Sequence, residues 1–231
     1  MTLLRPISGR FAVFFLASLA ACAGAGADGP LAAGATRAAL ERLAAACSQV
    51  KTLQVSFRQE KHLAIFPKPV TAEGRIYYRQ PAAIRFETTR PFHSVAIVNA
   101  EHVAKYERQG SLWRRLKLGN PFVLRMVLGQ MAAWLRGDLG GDDREFTITG
   151  RQAGKAIVLV ITPKQAKSRR VIDHLELTLA PDGTRVDTVR IVESPESFTI
   201  MHFVDEERDV ALAKGAFATD LPSPTPARVE P

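Results

Sequence analysis

The chain has 231 residues, of which 46% are hydrophobic and 23% are charged. This composition is typical of a globular domain with a sizeable core and excludes an intrinsically disordered chain. The formal net charge of +8 is compatible with nucleic acid, anionic lipid or an acidic protein as a partner.

The N-terminus has the pattern of a secretory signal. Arg5 and Arg10 precede the apolar run "FAVFFLASLAA", which is too short for a stable membrane anchor. We therefore predict a signal sequence over residues 1–27. Export excludes nucleic acid as a partner.

Two cleavage sites fit this signal. The segment "LAAC", residues 19–22, resembles a bacterial lipobox, and cleavage after Ala21 would leave Cys22 as an acylated N-terminal residue. Residues 25–27, "AGA", offer an ordinary site with cleavage after Ala27. The chain has one other cysteine, Cys47, which lies among apolar residues at helical spacing. We interpret Cys47 as a small core residue.

The first half of the chain predicts one helix followed by strands. Residues 28–35 are expected to form a flexible leader, and apolar positions 40, 43, 47 and 50 predict an amphipathic helix over 36–50. Alternation over 53–57 indicates a first strand. The stretch "GRIYYRQPAAIRFETTRPF", residues 74–92, predicts two antiparallel strands interrupted at Pro81. Residues 94–99 and 102–107 continue the meander, with a turn at 99–101.

A second helix interrupts the strands. Asn120 can cap it, Pro121 suits its first position, and the run "FVLRMVLGQMAAWLRG" continues it to Gly137. Its apolar stripe is too wide for one surface, so we predict neighbours on two sides. Strand patterns return at 146–149, 156–161, 172–179, 186–192 and 198–204, with turns at 150–154 and 181–183. The proline-rich tail, residues 223–231, is expected to lie outside the fold.

The sequence carries no recognisable catalytic or metal-binding motif. Its histidines, at positions 62, 93, 102, 174 and 202, lack the spacing of metal ligands. No nucleophile elbow is present. We therefore expect a binding protein without metal or other cofactor, and not an enzyme. The element pattern predicts a mainly β protein with helices (α+β), in which one antiparallel sheet curls around an apolar interior over residues 36–222.

Several motifs in order carry a resemblance to a known family. They are "SFRQEK" (56–61), the pattern of Gly74, Ile76, Tyr78, Pro81, Ile84, Phe86 and Pro91, then "SVAIVNAEHVAKYE" (94–107), "NPFVLRMVLGQMAAWL" (120–135) and "AKGAFATDLP" (213–222). Together they resemble the LolA family of periplasmic carriers of outer-membrane lipoproteins. The resemblance implies an incomplete antiparallel β-barrel, a half-barrel, whose apolar concave face is covered by a helical lid.

The family's function gives specific expectations. A LolA-like carrier would act as a monomer in the periplasm of a Gram-negative bacterium, without nucleotide or metal. It would receive acylated lipoproteins from an inner-membrane ABC transporter and pass them to an outer-membrane receptor. By strand parity, the candidate residues of the cavity wall are Ile76, Tyr78, Ile84 and Phe86. The candidates on the lid helix are Phe122, Leu124, Val127, Leu128, Met131 and Leu135.

One position departs from the family pattern. The family has an arginine directly before the proline of the second strand, where it points inward and holds the lid closed. Here that position is Gln80. A neutral amide can still donate a hydrogen bond, but the charge-assisted clamp is lost. Arg79 should point to the opposite face of the sheet.

Four alternatives therefore stay open. The protein could be a LolA-like paralogue that carries another lipid or acyl-linked product. If Cys22 is acylated, it could be a membrane-anchored receptor like LolB, or an anchored interaction domain. The apolar wall could also be an ordinary core without a usable cavity.

Overall fold

The computed structural model of the chain describes residues 28–118, 121–139 and 146–221. The predicted signal sequence, both cleavage sites, Cys22 and the tail 223–231 lie outside these residues.

The described residues form one antiparallel sheet of twelve strands with three helices. The strands are β1 (Gly29–Pro30), β2 (Thr52–His62), β3 (Val70–Arg79), β4 (Ala83–Arg90), β5 (Ser94–Val98), β6 (Val103–Gln109), β7 (Leu112–Arg115), β8 (Phe146–Ala153), β9 (Ala156–Pro163), β10 (His174–Leu179), β11 (Val186–Ser194) and β12 (Ser197–Arg208). The helices are α1 (Ala33–Ser48), α2 (Pro121–Leu135) and α3 (Ala166–Arg169).

The sheet is open, which confirms the predicted half-barrel. Its strand order is β1-β8-β9-β10-β11-β12-β2-β3-β4-β5-β6-β7, so β1 and β7 form its two edges within the described part of the chain. The first strand after α1, β2, lies in the middle between β12 and β3. Apart from β1, which pairs with β8, the two halves of the sequence therefore build the two halves of the sheet.

Several predicted boundaries were wrong. The expected flexible leader, 28–35, contains β1 and the start of α1, and β1 pairs with β8. Residues 150–153 of the expected turn belong to β8. Of the predicted turn residues, only Gly154 lies in the observed turn, and its φ is 57°. Gly150 lies inside β8. A β-carbon there would come within 2.7 Å of the Thr36 hydroxyl oxygen, so this strand position favours glycine. The strand β7 and the helix α3 were not predicted.

The connections between strands alternate between two ends of the sheet, because all neighbouring strands are antiparallel. The β3–β4 and β5–β6 connections lie at one end, together with the start of β2. The β2–β3, β4–β5, β6–β7, β9–β10 and β11–β12 connections lie at the opposite end. The helices α1 and α2 both contact the sheet at the end that holds the β3–β4 and β5–β6 connections.

The concave side of the sheet holds the main core. Apolar side chains from both halves of the sheet meet α1 and α2 in one cluster, and the fully buried examples include Val55, Ile76, Ile84, Leu159 and Leu177. Among the described residues, Thr36 is the only buried polar residue. The interior described by the structure is therefore almost entirely apolar.

A second, smaller core lies on the convex side. Phe217 is 4% exposed and packs on Ala83, Val95 and Ile97, which point outward from β4 and β5. The Arg79 guanidinium lies 4.8 Å from the centre of the Phe217 ring. Arg79 thus points to the convex side, as strand parity predicts. The segment after β12 covers this part of the sheet.

No helix within the described residues is both long and apolar enough to cross a membrane.

Gly74 should not tolerate a side chain. A β-carbon there would overlap the carbonyl oxygen of Glu87 and come within 2.8 Å of the Phe57 ring. We expect Gly74→Ala to lower the free energy of unfolding by about 2 to 4 kcal/mol, because the backbone of β4 must move. Urea denaturation followed by circular dichroism measures this change.

Gly129 provides the matched control. It lies in α2, where an added β-carbon meets no atom within 4 Å. Gly129→Ala should raise the stability by up to about 1 kcal/mol through helix propensity. Equal effects of the two substitutions would contradict the close approach of β3 and β4 at Gly74.

Candidate functional site

The predicted wall residues lie together on the concave side. Ile76 pairs with Phe86 across β3 and β4, and Tyr78 pairs with Ile84. Ile76, Tyr78 and Ile84 are at most 1% exposed, whereas Phe86 is half-buried. The Phe86 ring stacks on Phe57 of β2 with 4.6 Å between ring centres. The four residues thus form one continuous apolar surface.

The helix α2 lies against this surface. Leu128, Met131 and Leu135 are buried in the main core, and Leu124 is half-buried at its border. Two further lid candidates, Phe122 and Val127, have side chains outside those that the structure describes. The buried contacts of α2 also include Ala132 and Trp134, which the sequence reasoning did not select.

The helix α1 closes the other part of the concave side. Leu43 and Cys47 are fully buried, so the interpretation of Cys47 as a core residue is confirmed. The Cys47 thiol donates a hydrogen bond to the Thr184 carbonyl oxygen at 3.5 Å. Burial raises the pKa of this thiol, and the nearby Arg208 charge offsets only part of that rise. A neutral buried thiol of this kind is a packing group and a poor nucleophile.

An arginine at the C-terminal end of α2 fastens the helix to the sheet. Arg136 Nη1 donates to the Pro81 carbonyl oxygen at 2.9 Å and to the Tyr78 hydroxyl at 3.3 Å. The Arg136 guanidinium also lies 5.5 Å from the centre of the Tyr78 ring. The Tyr78 hydroxyl donates to the same carbonyl at 3.2 Å. Arg136 thus joins the lid to the β3–β4 connection.

A second arginine fastens the N-terminal part of α2. Arg125 Nη1 donates to the Asn99 carbonyl oxygen at 2.9 Å. Asn99 lies in the β5–β6 turn, where its side chain accepts from the backbone amides of Glu101 and His102. The β3–β4 and β5–β6 connections share one end of the sheet. The helix α2 therefore lies across that end and closes it.

Gln80 takes a different position from the expected one. Parity placed it on the inner face with Ile76 and Tyr78, but β3 ends at Arg79 and Gln80 is exposed. Its side-chain amide donates to the Ser48 carbonyl oxygen at 3.2 Å, and its backbone amide donates to Lys51 at 2.9 Å. Gln80 therefore joins the end of α1 to the sheet.

A cleft of about 510 Å³ opens beside Arg136 at this closed end. Its walls come from α1, from the residues that follow α2 and from β8, and they include Leu40, Ala44, Leu139 and Ile148.

The described side chains offer hydrophobic binding and no metal centre. No group of three or more His, Cys, Asp or Glu residues in the described part of the chain could hold a metal ion. The available chemistry at the closed end is an apolar wall, an apolar helix over it, and hydrogen bonds at the two ends of that helix.

The family comparison agrees with this geometry. The model of the family "Outer membrane lipoprotein carrier protein LolA" matches residues 48–220. The chain belongs to the LolA family. The "Outer-membrane lipoprotein carrier protein" of Pseudomonas paraeruginosa is 23% identical to this LolA-family chain over 185 residues, which is 80% of the chain and 85% of that relative.

Two solved structures match the chain at low sequence identity. A LolA superfamily protein from Nitrosomonas europaea matches with a TM-score of 0.39 and 11% identity, covering 80% of this chain and 98% of that one. The lipoprotein LppX from Mycobacterium tuberculosis matches with a TM-score of 0.42 and 12% identity, covering 79% of this chain and 100% of that one.

A half-buried ion-pair cluster lies on the convex side of the same strands. Glu87 accepts hydrogen bonds from Arg85 Nε at 2.9 Å and pairs with His93 Nε2 at 2.7 Å. Burial alone would raise the pKa of Glu87, but the hydrogen bonds from His93 and Arg85 and the Arg85 charge hold the pKa below its ordinary value. Arg85 also donates to the Ala216 carbonyl oxygen at 3.4 Å, so the cluster supports the segment after β12.

Acid should weaken the fold through Glu87. Because its pKa is lower in the folded than in the unfolded state, its contribution is present above about pH 4.5 and is lost as the pH falls through the folded-state pKa. We expect Glu87→Gln to cost about 1 to 2 kcal/mol of stability at pH 7 and much less at pH 3. Urea unfolding at both pH values measures the difference.

The matched control is Glu101→Gln, since the Glu101 side chain is 82% exposed. It should change stability by less than about 0.5 kcal/mol at either pH. A pH-independent effect of Glu87→Gln would show that the loss comes from packing and would contradict the proposed ion-pair contribution.

Proposed function

We propose that the protein is a periplasmic carrier that shields the acyl chains of lipoproteins and passes them from the inner to the outer membrane without catalysing a reaction. The observation that carries this proposal is the continuous apolar wall of β2–β4 under a helix that touches it through apolar side chains. Acyl chains need such a wall, because they have no hydrogen-bonding groups. Membership of the LolA family supports the same reading.

Reversible binding follows from a competition between the cargo and α2. The buried side chains Leu128, Met131, Trp134 and Leu135 gain about 6 to 12 kcal/mol in total from their contact with the interior. Shielding ten methylene groups of an acyl chain gains about 8 kcal/mol. Cargo that displaces α2 therefore exchanges one hydrophobic contact for another of similar size. The small difference permits both uptake and release.

Gating in this proposal is assigned to Arg136 and Arg125 in place of Gln80. Each arginine donates from α2 to a backbone carbonyl of the sheet, so both hydrogen bonds must break when α2 moves. Gln80 contacts the end of α1, which stays in place. Hydrogen bonds donated by arginines of the α2 segment can therefore replace one donated by an arginine of β3.

The remaining parts of the proposal concern location and partners. The predicted signal over residues 1–27 supports export to the periplasm. The carrier would act as a monomer between an inner-membrane ABC transporter and an outer-membrane receptor, without metal or other cofactor. Acylation of Cys22 would instead fix the protein to a membrane and favour a receptor role.

A second candidate is a carrier of another lipid or acyl-linked product. Gln80 in place of the family arginine favours this candidate, because Gln80 contacts α1 and the lid is held by Arg125 and Arg136 instead. The apolar wall does not discriminate between acyl chains of different origin. Only the group attached to the acyl chain would distinguish the two kinds of cargo.

Mass spectrometry of the protein purified gently from the periplasm of its host tests both candidates. Bound lipoproteins would support the first candidate, and another lipid would support the second. The same measurement gives the mass of the mature N-terminus. An empty protein with an acylated Cys22 would contradict the carrier proposal and favour the anchored one.

Removing the Arg136 hydrogen bonds should lower the stability of the protein and raise its affinity for lipid. We expect Arg136→Gln to lower the free energy of unfolding by about 1 to 2 kcal/mol, because it removes charge-assisted hydrogen bonds. The same substitution should raise the affinity for a fluorescent fatty acid about threefold to tenfold, because less free energy is needed to open α2. Fluorescence titration and urea unfolding measure the two effects.

Arg125→Gln should act in the same direction. The matched control is Arg75→Gln, since Arg75 is exposed on the convex side of β3. This control should change neither quantity. Lower lipid affinity of Arg136→Gln in a folded protein would show that α2 helps to bind the cargo and does not exclude it.

A further inference from the structure

The end of the half-barrel opposite α2 is formed by loops. We call the connections 63–69, 91–93, 110–111, 164–173 and 195–196 the loop rim. Their strands are consecutive neighbours in the sheet, from β9 through β12 and β2 to β7. The loop rim is therefore a continuous arc at one end of the molecule.

Most of the exposed large apolar side chains lie on this arc. Ile65 is 80% exposed, Phe66 52%, Phe92 81% and Val171 68%. Val70 and Leu112, at the first positions of β3 and β7, are also exposed. Of the large apolar side chains that are exposed in the described chain, only Val204 lies elsewhere, on β12. Single exposed apolar residues are common, but a concentration of them marks an interaction site.

Hydrogen bonds hold the loops of the rim beside one another. The backbone amide of Ala64 donates to Ser197 Oγ at 3.4 Å, which joins the β2–β3 and β11–β12 connections. Thr89 Oγ1 donates to the Glu73 carbonyl oxygen at 3.2 Å, just before Phe92. The connections that carry Phe66 and Phe92 are neighbours, because β3 and β4 pair in the sheet.

The loop rim is also basic. Its described side chains include four basic ones, Lys68, Lys164, Arg169 and Arg170, and two acidic ones, Asp173 and Glu196. Charges at the adjoining strand ends pair with each other, as in Lys61–Glu193, Arg90–Glu73 and Arg114–Glu107. The excess of positive charge at this end of the sheet thus comes from the loop rim, which also carries the exposed apolar side chains.

We propose that the loop rim docks the protein on an anionic membrane surface. Protruding apolar side chains among basic ones suit such a surface. The apolar side chains can enter the boundary between headgroups and acyl chains, while the lysines and arginines contact lipid phosphates. A protein partner would need a continuous complementary surface, whereas these apolar residues project separately from several loops. The proposal goes beyond the carrier function and does not depend on the identity of the cargo.

Docking in this orientation has a consequence for cargo transfer. The helix α2 and its arginine hydrogen bonds lie at the opposite end of the sheet from the loop rim. The lid would then face away from the bilayer. Cargo would reach it from a protein partner above the membrane surface and not directly from the lipid layer.

Co-sedimentation with lipid vesicles tests the proposal. The full exported chain carries Cys22→Ala, so that no N-terminal acyl group contributes to binding. We expect it to bind vesicles that contain phosphatidylglycerol, to bind pure phosphatidylcholine vesicles at least about tenfold less tightly, and to lose binding as salt is raised.

Variants assign the binding to the loop rim. Phe66→Ser together with Phe92→Ser should weaken vesicle binding about tenfold, because two apolar anchors are lost. Lys68→Ser together with Arg170→Ser should reduce the preference for phosphatidylglycerol. Val204→Ser removes an exposed apolar side chain outside the rim and should leave binding unchanged.

A local readout separates insertion from adsorption. Phe92→Trp should be quenched by lipids with brominated acyl chains more strongly than Val204→Trp. Absence of binding to phosphatidylglycerol vesicles, or binding that the Phe66 and Phe92 substitutions leave unchanged, would overturn the proposal. Analytical ultracentrifugation that shows a dimer abolished by those substitutions would overturn it in favour of a second copy of the chain.

Discussion

The wide apolar concave face of the sheet is the constraint on which the rest of the structure depends. Strands from both halves of the chain send buried apolar side chains, such as Ile84 and Leu177, to the same side. Each square ångström of this surface left in water costs about 25 cal/mol. An open half-barrel does not close over its own interior, so α1 and α2 must cover it. The fold is stable only while something apolar occupies the concave side.

The two covering helices differ in how they are held. The helix α1 is fixed where it meets the sheet, because Arg208 donates to the Ala46 and Thr184 carbonyl oxygens and Cys47 packs against the same turn. The helix α2 touches the sheet mainly through apolar side chains, with Arg125 and Arg136 at its ends. Hydrophobic contacts have no direction and are easily replaced by those of another apolar body. For this reason the proposed carrier function assigns the movement to α2 and not to α1.

Local sequence patterns predicted the wall but not the closure. The positions of Ile76, Tyr78 and Ile84 follow from the two-residue period of a strand, which needs no knowledge of the fold. The contact between Arg136 and Pro81 depends on where two segments 55 residues apart meet, and no local pattern contains that information. The same limit explains Gly150. It looked like a turn residue, but it is a glycine because residues at the start of α1 approach the strand closely.

The convex core supports the strands that lie under α2. The helix α2 packs on β4, β5 and β6. On the other side of these strands, Phe217 is buried against Ala83, Val95 and Ile97, and Tyr106 donates a hydrogen bond to the Thr219 carbonyl oxygen at 2.5 Å. The strands under the lid are thus supported from behind by contacts in which α2 takes no part. In the proposed carrier function, this support would stay in place when α2 moves, so the same apolar surface could receive either the helix or an acyl chain.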